Sequence, residues 1–410
     1  MVPVVSNGNH AHDAASAAGA IGGYVRLQRP RAAVVDVRRP GPAAFHVAMM
    51  RRALNHGLPA KARLAPLRTR LARADLPTEL AARMIRRRSG EADEQLDGVL
   101  HAVSDAWADL AAEARLLDAA RRPRPDELCL LGVERSEGRT LFIFEGDQLE
   151  PCLVLTASAS QARRNEADAQ AQAAAVDVAP RHLGRVGDHL VQEGVGGLAL
   201  WIDSDPTGLV WPESTLASVD QIHDRLTVLA SGTAQSGRPG HLDDVFAALD
   251  RTPLDASLLR RVRAVQRDLD GLDVQVLEHC DMSAQNVTVT DDGAVTGIID
   301  WEFARADGVV GFDHLLLAIS LAEHGLGRWT WSDEAAYTML ADGWDDAPIF
   351  TRARTALRRS LEACTGSDAL APQLEVAHMV ERLTGAYRSG ASPQVSQETL
   401  MRSLRLVLGR

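Results

Sequence analysis

Leu277-Glu278-His279-Cys280-Asp281-Met282-Ser283-Ala284-Gln285-Asn286, followed shortly by Ile298-Ile299-Asp300-Trp301-Glu302, decides how the rest of the chain reads. Val274, Val276 and Leu277 form a short apolar run that breaks into a polar loop carrying an Asp and, five positions on, an Asn. Val287-Thr288-Val289-Thr290 alternates with the period of a strand, and Asp291-Asp292-Gly293 is a hairpin turn signal. Val295 to Ile299 is a second strand that ends on Asp300. A hairpin brings the strand ends together, and with them two carboxylates and a carboxamide. A hydroxyl nucleophile needs a carboxylate that orients it and accepts its proton, a role open to Asp281. A nucleoside triphosphate needs Mg²⁺ on oxygen ligands, which Asn286 and Asp300 can supply. Asp and Asn also favour turns for local reasons, so an acidic hairpin without chemistry fits the same residues.

His279-x-Asp281-x4-Asn286 together with Ile299-Asp300-Trp301-Glu302 resembles the catalytic-loop and metal-loop pair of the protein-kinase fold. Within that fold it is similar to the aminoglycoside phosphotransferase and choline kinase-like family, whose loop commonly reads H-G-D-x-x-x-x-N and whose second motif reads I-D-W/F-E. The resemblance covers roughly residues 126–410, with its specific motifs confined to about 277–313. It implies an α+β, two-lobed protein-kinase-like fold with a β-rich N-lobe and a mainly helical C-lobe. It further implies ATP, or another nucleoside triphosphate, and Mg²⁺. On this resemblance Asp281 is the catalytic base and Asn286 and Asp300 hold the metal. Glu166 is the N-lobe helix glutamate, and the stretch Gln192, Glu193, Gly194, Val195 is the interlobe hinge that receives the adenine. His279 orders the loop, Asp313 braces it from a helix start, and Cys280 stands where glycine is common. Glu302 is either a neighbour of the metal or a plain surface charge.

The 410 residues are 46% hydrophobic and 24% charged, ordinary for a globular protein with more than one domain. No run of about 18 apolar residues is present, which argues against a membrane-spanning helix. The N-terminus lacks the basic-then-apolar pattern of a secretory signal. Cys129, Cys152, Cys280 and Cys364 are scattered, matching neither a zinc spacing nor a disulfide framework, so a reducing cytoplasm is the expected compartment. The net charge of −11 is uneven: residues 1–125 hold roughly 20 Lys and Arg against roughly 12 Asp and Glu, and the remainder is strongly acidic. An acidic body suits a cationic acceptor, such as an aminosugar, an aminocyclitol or another cationic alcohol. The basic patches of the front, such as Arg86-Arg87-Arg88, lack the interleaved aromatics of a single-strand nucleic-acid binder, so a solvated helical appendage is the expectation there.

Three segments follow. Residues 1–125 read as a basic, mostly helical extension with its first ~23 residues disordered, ending in an amphipathic helix over Asp93–Ala120 with Leu96, Leu100, Val103, Trp107, Leu110, Ala114 and Leu117 on one stripe. Residues 126–197 carry strands at Leu128–Val133, Thr140–Phe144 and Cys152–Thr156, a helix at about Gln161–Ala174, and strands at Leu183–Val186 and His189–Glu193. That is the order of a kinase N-lobe, ending in the hinge. Residues 198–410 read as the helical C-lobe, with helices at about 216–230, 242–249, 256–269, 314–324, 333–341, 349–364, 373–388 and 397–408.

Two departures from the family stand out. Its phosphate-gripping lysine falls at or near Thr156, and Lys61, far upstream, is the sole lysine of the chain. The loop Gly132 to Arg139 lacks the G-x-G-x-x-G pattern, leaving Arg135, Arg139, Arg163 or Arg164 as phosphate contacts of different reach. Hence two readings: an active small-molecule phosphotransferase, or a catalytically impaired nucleotide- or ligand-binding protein. Trp201, Trp211, Trp329 and Trp331 are candidates for either a substrate pocket or the core.

Overall fold

Strand-forming runs of alternating Leu, Ile, Val and Phe produce the first half of the architecture. The computed structural model describes residues 37–38, 92–115, 117–118, 120–135, 138–145, 150–157, 161–200, 213–249, 252, 254–290, 292–301, 303–325, 347–388 and 397–409. In chain order it begins with β1 (Val37–Arg38), α1 (Ala92–Glu113), β2 (Leu128–Arg135), β3 (Gly138–Glu145) and β4 (Leu153–Ala157). Next come α2 (Gln161–Ala175), β5 (His182–Val186), β6 (His189–Glu193) and β7 (Leu198–Ala199). Then follow α3 (Glu213–Thr233), α4 (Gly240–Ala247), α5 (Ala256–Asp268), β8 (Val276–Glu278), β9 (Val287–Val289), β10 (Val295–Ile298) and β11 (Arg305–Gly308). The chain closes with α6 (Phe312–Gly325), α7 (Pro348–Thr365), α8 (Ala371–Arg388) and α9 (Gln397–Leu408). The fold is mixed α+β. Most of the described helices and strands fall where the periodicities place them, but β7 and β11 have no counterpart in the sequence reading; the expected helix at 333–341, the first ~23 residues and most of the basic front lie outside the described residues.

The first sheet has the order β1-β2-β3-β4-β6-β5, antiparallel throughout. Leu128, Leu130, Leu141, Ile143, Leu153, Leu155 and Val191 fall on one face at the two-residue period and share a core with Leu100, Val103, Trp107, Leu110 and Ala111 of α1. The last helix of the basic front is thus part of the sheet's own core. It is also shorter than its apolar stripe suggests, ending at Glu113 rather than Ala120. The chain turns back there because two helix side chains capture carbonyls of the return segment. Ser104 Oγ donates to Pro123 O at 2.7 Å and Trp107 Nε1 to Asp118 O at 3.2 Å. Leu117 is still buried, but from a turn.

A second, larger core is built by α2 to α9 and includes Val287, Val289, Val295, Ile298 and Trp301 of the hairpin region. β9 lies between β10 and β7 in a three-stranded sheet, and β8 pairs with β11. The link between the two sheets is Gly194–Gly197. Gly194 approaches Pro151 so closely that a Cβ would lie 1.8 Å from its carbonyl oxygen. Gly197, at φ +89°, would put a Cβ 2.3 Å from Val289 O, so no other residue fits the backbone there. No described helix is long and apolar enough to cross a membrane.

Candidate active site

β8 delivers the chain into the loop 279–283, a single 3-10 turn (Ala284–Asn286) returns it, and β9 and β10 form the hairpin that ends at Asp300. Val295, Gly297 and Ile298 of β10 pair with Val289, Thr288 and Val287, with a bulge between Val295 and Gly297. Ile299 N–H donates to Asn286 O at 2.9 Å, which ties the two strand ends together. Asn286 Nδ2 donates to the Asp281 carbonyl at 2.8 Å and to its carboxylate Oδ2 at 3.0 Å. Burial, and then the Asp300 charge, push the Asp281 carboxyl up to about 6, against the Asn286 hydrogen bond and the Arg382 charge. The three predicted residues are therefore in one place: Asn286 touches Asp281, and Asp300 is near enough to repel it.

The bracing of the loop fixes a histidine tautomer. His279 Nε2 lies 2.9 Å from Ile299 O, which can only accept, so Nε2 carries the hydrogen. Nδ1 then holds a lone pair, and the Asp281 N–H donates to it at 3.3 Å. The ring rests on Trp301, centroids 4.6 Å apart, whose own Nε1 donates to Ile298 O at 2.9 Å. Asp313, in the first turn of α6, accepts from His279 N–H at 2.8 Å on one oxygen and from Cys280 N–H at 3.1 Å on the other. Burial and then the Glu278 charge push its carboxyl up to about 7. Cys280 at φ +62° and Asp300 at φ +69° both hold left-handed backbone, a conformation that costs a side-chain-bearing residue about 1 kcal/mol or more.

The remaining candidates are placed as follows. Glu166 is half-buried on α2, a helix that lies against β5, α3 and β8. Gln192 and Glu193 end β6, paired with Val154 and Leu153 of β4. Glu193 is buried, and its Oε1 accepts from Arg115 N–H at 2.6 Å. Gly194 N–H donates to Cys152 O at 2.9 Å, and Gly196 O accepts from Thr296 Oγ1 at 2.7 Å, so part of this backbone is engaged in joining the sheets. Val195 packs against Gly297. Thr156 sits half-buried on β4 between Thr140 and Leu190. Glu302, the side chains of Arg135, Arg139, Arg163 and Arg164, and Trp201, Trp211, Trp329 and Trp331 lie outside the described residues. Sequence reading missed Arg382 on α8, whose charge reaches Asp281. It also missed His241 on α4, 2.7 Å from Glu278; no local spacing marks either one.

Scans of family models and of curated proteins return no match. Solved structures do. A thermostable mutant of aminoglycoside phosphotransferase APH(4)-Ia is 16% identical at a TM-score of 0.37, over 70% of this chain and 92% of that one. A choline/ethanolamine kinase family protein from Mesorhizobium loti is 16% identical at 0.36, over 75% and 100%. A macrolide 2'-phosphotransferase from Brachybacterium faecium is 15% identical at 0.35, over 74% and 97%. The chain is similar to the aminoglycoside phosphotransferases and choline kinases.

Proposed function

We propose that the chain is a small-molecule O-phosphotransferase of two-lobed, protein-kinase-like fold that uses ATP, or another nucleoside triphosphate, with Mg²⁺. The observation that carries this reading is the convergence of Asp281, Asn286 and Asp300, with the Asn286 carboxamide 3.0 Å from the Asp281 carboxylate. Residues 126–197 would be the N-lobe and 198–410 the C-lobe, with 1–125 an extension whose helix α1 is seated on the N-lobe sheet. The donor set fits a hard cation: a carboxylate and a carboxamide oxygen beside a second carboxylate whose charge is repelled. Asn286 and Asp300 would hold Mg²⁺, which when bound offsets the charge of the transferring phosphates.

The chain's own part is positioning. Asp281 accepts a hydrogen bond from the acceptor hydroxyl, aims its oxygen at the γ-phosphorus, and takes its proton as the new O–P bond forms and the bond to the nucleoside diphosphate breaks. Asn286 and His279 fix the rotamer and backbone of Asp281, and Asp313 fixes the loop. Gln192 to Val195 would receive the adenine, and Glu166 would support the phosphate side. The strongly acidic sequence after residue 125 favours a cationic alcohol as acceptor, such as an aminosugar or aminocyclitol, and the cytoplasm as its compartment.

A thermal-shift titration tests the reading. ATP with Mg²⁺ raises the melting temperature, and a flat titration at millimolar nucleotide sinks it. With binding established, Asp281→Asn is expected to lower phosphoryl transfer by roughly 10²–10⁴-fold while keeping the nucleotide-induced shift. A variant that hydrolyses ATP as fast as the parent removes Asp281 from the base role.

A further inference from the structure

The proposed chemistry leaves Glu278 and Cys280, the residues on either side of His279, without a part. Glu278 is buried at 3% exposure. Its Oε2 accepts from Val309 N–H at 2.8 Å and lies 2.7 Å from His241 Nδ1. Phe312 packs against the His241 ring in a T-shaped contact, centroids 5.7 Å apart. Cys280 is a free thiol whose Sγ turns back to the Glu278 carbonyl at 3.9 Å. One donor atom from each of the three residues lies within 4.8 Å of the other two, the one such group of three His, Cys, Asp or Glu ligands among the described residues.

We infer that His241, Glu278 and Cys280 form a binding site for a thiophilic divalent cation of the zinc type, distinct from the oxygen set of Asp281, Asn286 and Asp300. Imidazole nitrogen, carboxylate oxygen and thiolate sulfur are a zinc donor set, and three protein ligands leave a fourth place for water. Mg²⁺ takes oxygen ligands, so the sulfur and nitrogen select against it. Charge balances as well: one carboxylate and one thiolate offset the two charges of the ion in a buried place. Binding releases the Cys280 thiol proton to solvent, and the His241 proton moves off Nδ1, which becomes the ligand, so that a neutral imidazole carries hydrogen on Nε2. Ligands of one tetrahedral zinc lie about 3.3–3.8 Å apart, so His241 Nδ1 and Glu278 Oε2, now hydrogen-bonded at 2.7 Å, part by about half an ångström while Cys280 Sγ closes by up to about an ångström, within reach of small side-chain rotations. The ion would tie α4 to the loop one residue before Asp281, and the site stands whether or not that loop transfers phosphate.

Co²⁺ is the probe, because a thiolate ligand gives a sulfur-to-cobalt charge-transfer band. The full-length protein, stripped with chelator and titrated with Co²⁺, is expected to bind one equivalent with that band. Zn²⁺ should then displace the cobalt and protect Cys280 from alkylation, as read by peptide mass. Cys280→Ser abolishes the band while circular dichroism stays native, and His241→Gln weakens Co²⁺ binding at least tenfold with the band's position shifted. Cys364→Ser leaves both unchanged. No sulfur band in the parent, or a band that survives Cys280→Ser, overturns the proposal, and so does a His241→Gln variant that binds as tightly as the parent. If Cys280→Ser fails to fold, the His241→Gln titration and the alkylation of Cys280 in the parent decide alone.

Discussion

His223 and His314 meet in the helical core with Nδ1 facing Nδ1 at 3.0 Å, and the pair makes a sharp prediction about acid stability. Thr227 Oγ1 donates to the His223 carbonyl at 2.9 Å, which can only accept. The Ser360 hydroxyl then gives its hydrogen to Thr227 Oγ1 at 2.9 Å and takes one from His314 Nε2 at 2.7 Å. His314 Nδ1 is left with a lone pair, and His223 Nδ1–H must be the donor. His223 Nε2 is a buried lone pair without a partner. Burial, then the charges of Arg359 and Arg352, lower the His223 pKa to about 3. The sign follows from linkage. Between the unfolded pKa near 6.5 and the folded one, the unfolded chain binds a proton that the folded chain refuses, so stability falls as pH falls through that window. At about pH 5 the loss is roughly 1.5 pH units at 1.36 kcal/mol each, or about 2 kcal/mol, a large share of a typical 5–15 kcal/mol. Asp313 and Asp281, both raised, act in the opposite direction, but they are present in parent and variant alike. His223→Asn keeps a donor where Nδ1 stood and removes the titrating ring. Urea unfolding of both proteins at pH 8 and pH 5 should show the stability gap moving by about 2 kcal/mol in favour of the variant at the lower pH. A gap constant to within about 0.5 kcal/mol refutes the neutral, unpartnered imidazole.

Other substitutions probe the frame around the site. Asp313→Asn leaves one carboxamide oxygen to serve two backbone N–H groups and turns an NH2 donor toward one of them. It should cost about 1–3 kcal/mol in urea unfolding, and an unchanged midpoint would show that the loop is held some other way. Trp107→Ala removes the centre of the α1–sheet core and is expected to cost about 3–5 kcal/mol; a loss below about 1 kcal/mol would show that α1 is dispensable to the sheet. Gly366→Ala, at φ +79° with open space around the new Cβ, should cost about 1–2 kcal/mol from backbone conformation alone. Gly197→Ala adds the collision with Val289 O and should cost more; equal midpoints for the two variants would refute the close approach of the linker to β9.

What the sequence revealed and what it hid follow from the range of each interaction. The Asp281–Asn286 pair was legible because five residues separate them and the hairpin that follows returns Asp300 by local turn chemistry alone. The strands of the first sheet were legible because their alternation is local too. The end of α1 was not. Leu117 continues the helical stripe in sequence, and only Ser104 and Trp107, bonded to carbonyls of the returning chain, show that it reaches the core from a turn. Nor could any spacing reveal that Cys280 keeps the left-handed backbone a glycine would favour.

The least legible feature organises the most, because it joins residues adjacent in sequence but opposite in duty. On the first turn of α6, Asp313 accepts from two N–H groups of the loop that carries Asp281, while His314 points into the core to His223 and Ser360. A displacement of α6 along its axis would break both sets at once. The loop that places Asp281 is thus held by a helix whose own register is fixed by hydrogen bonds to α3 and α7. Buried polar contacts of this kind contribute modestly to net stability when satisfied and cost heavily when broken, which suits them to specifying one position rather than adding strength. Precision at Asp281 therefore depends on residues such as Ser360 and Thr227, which the motif itself does not contain.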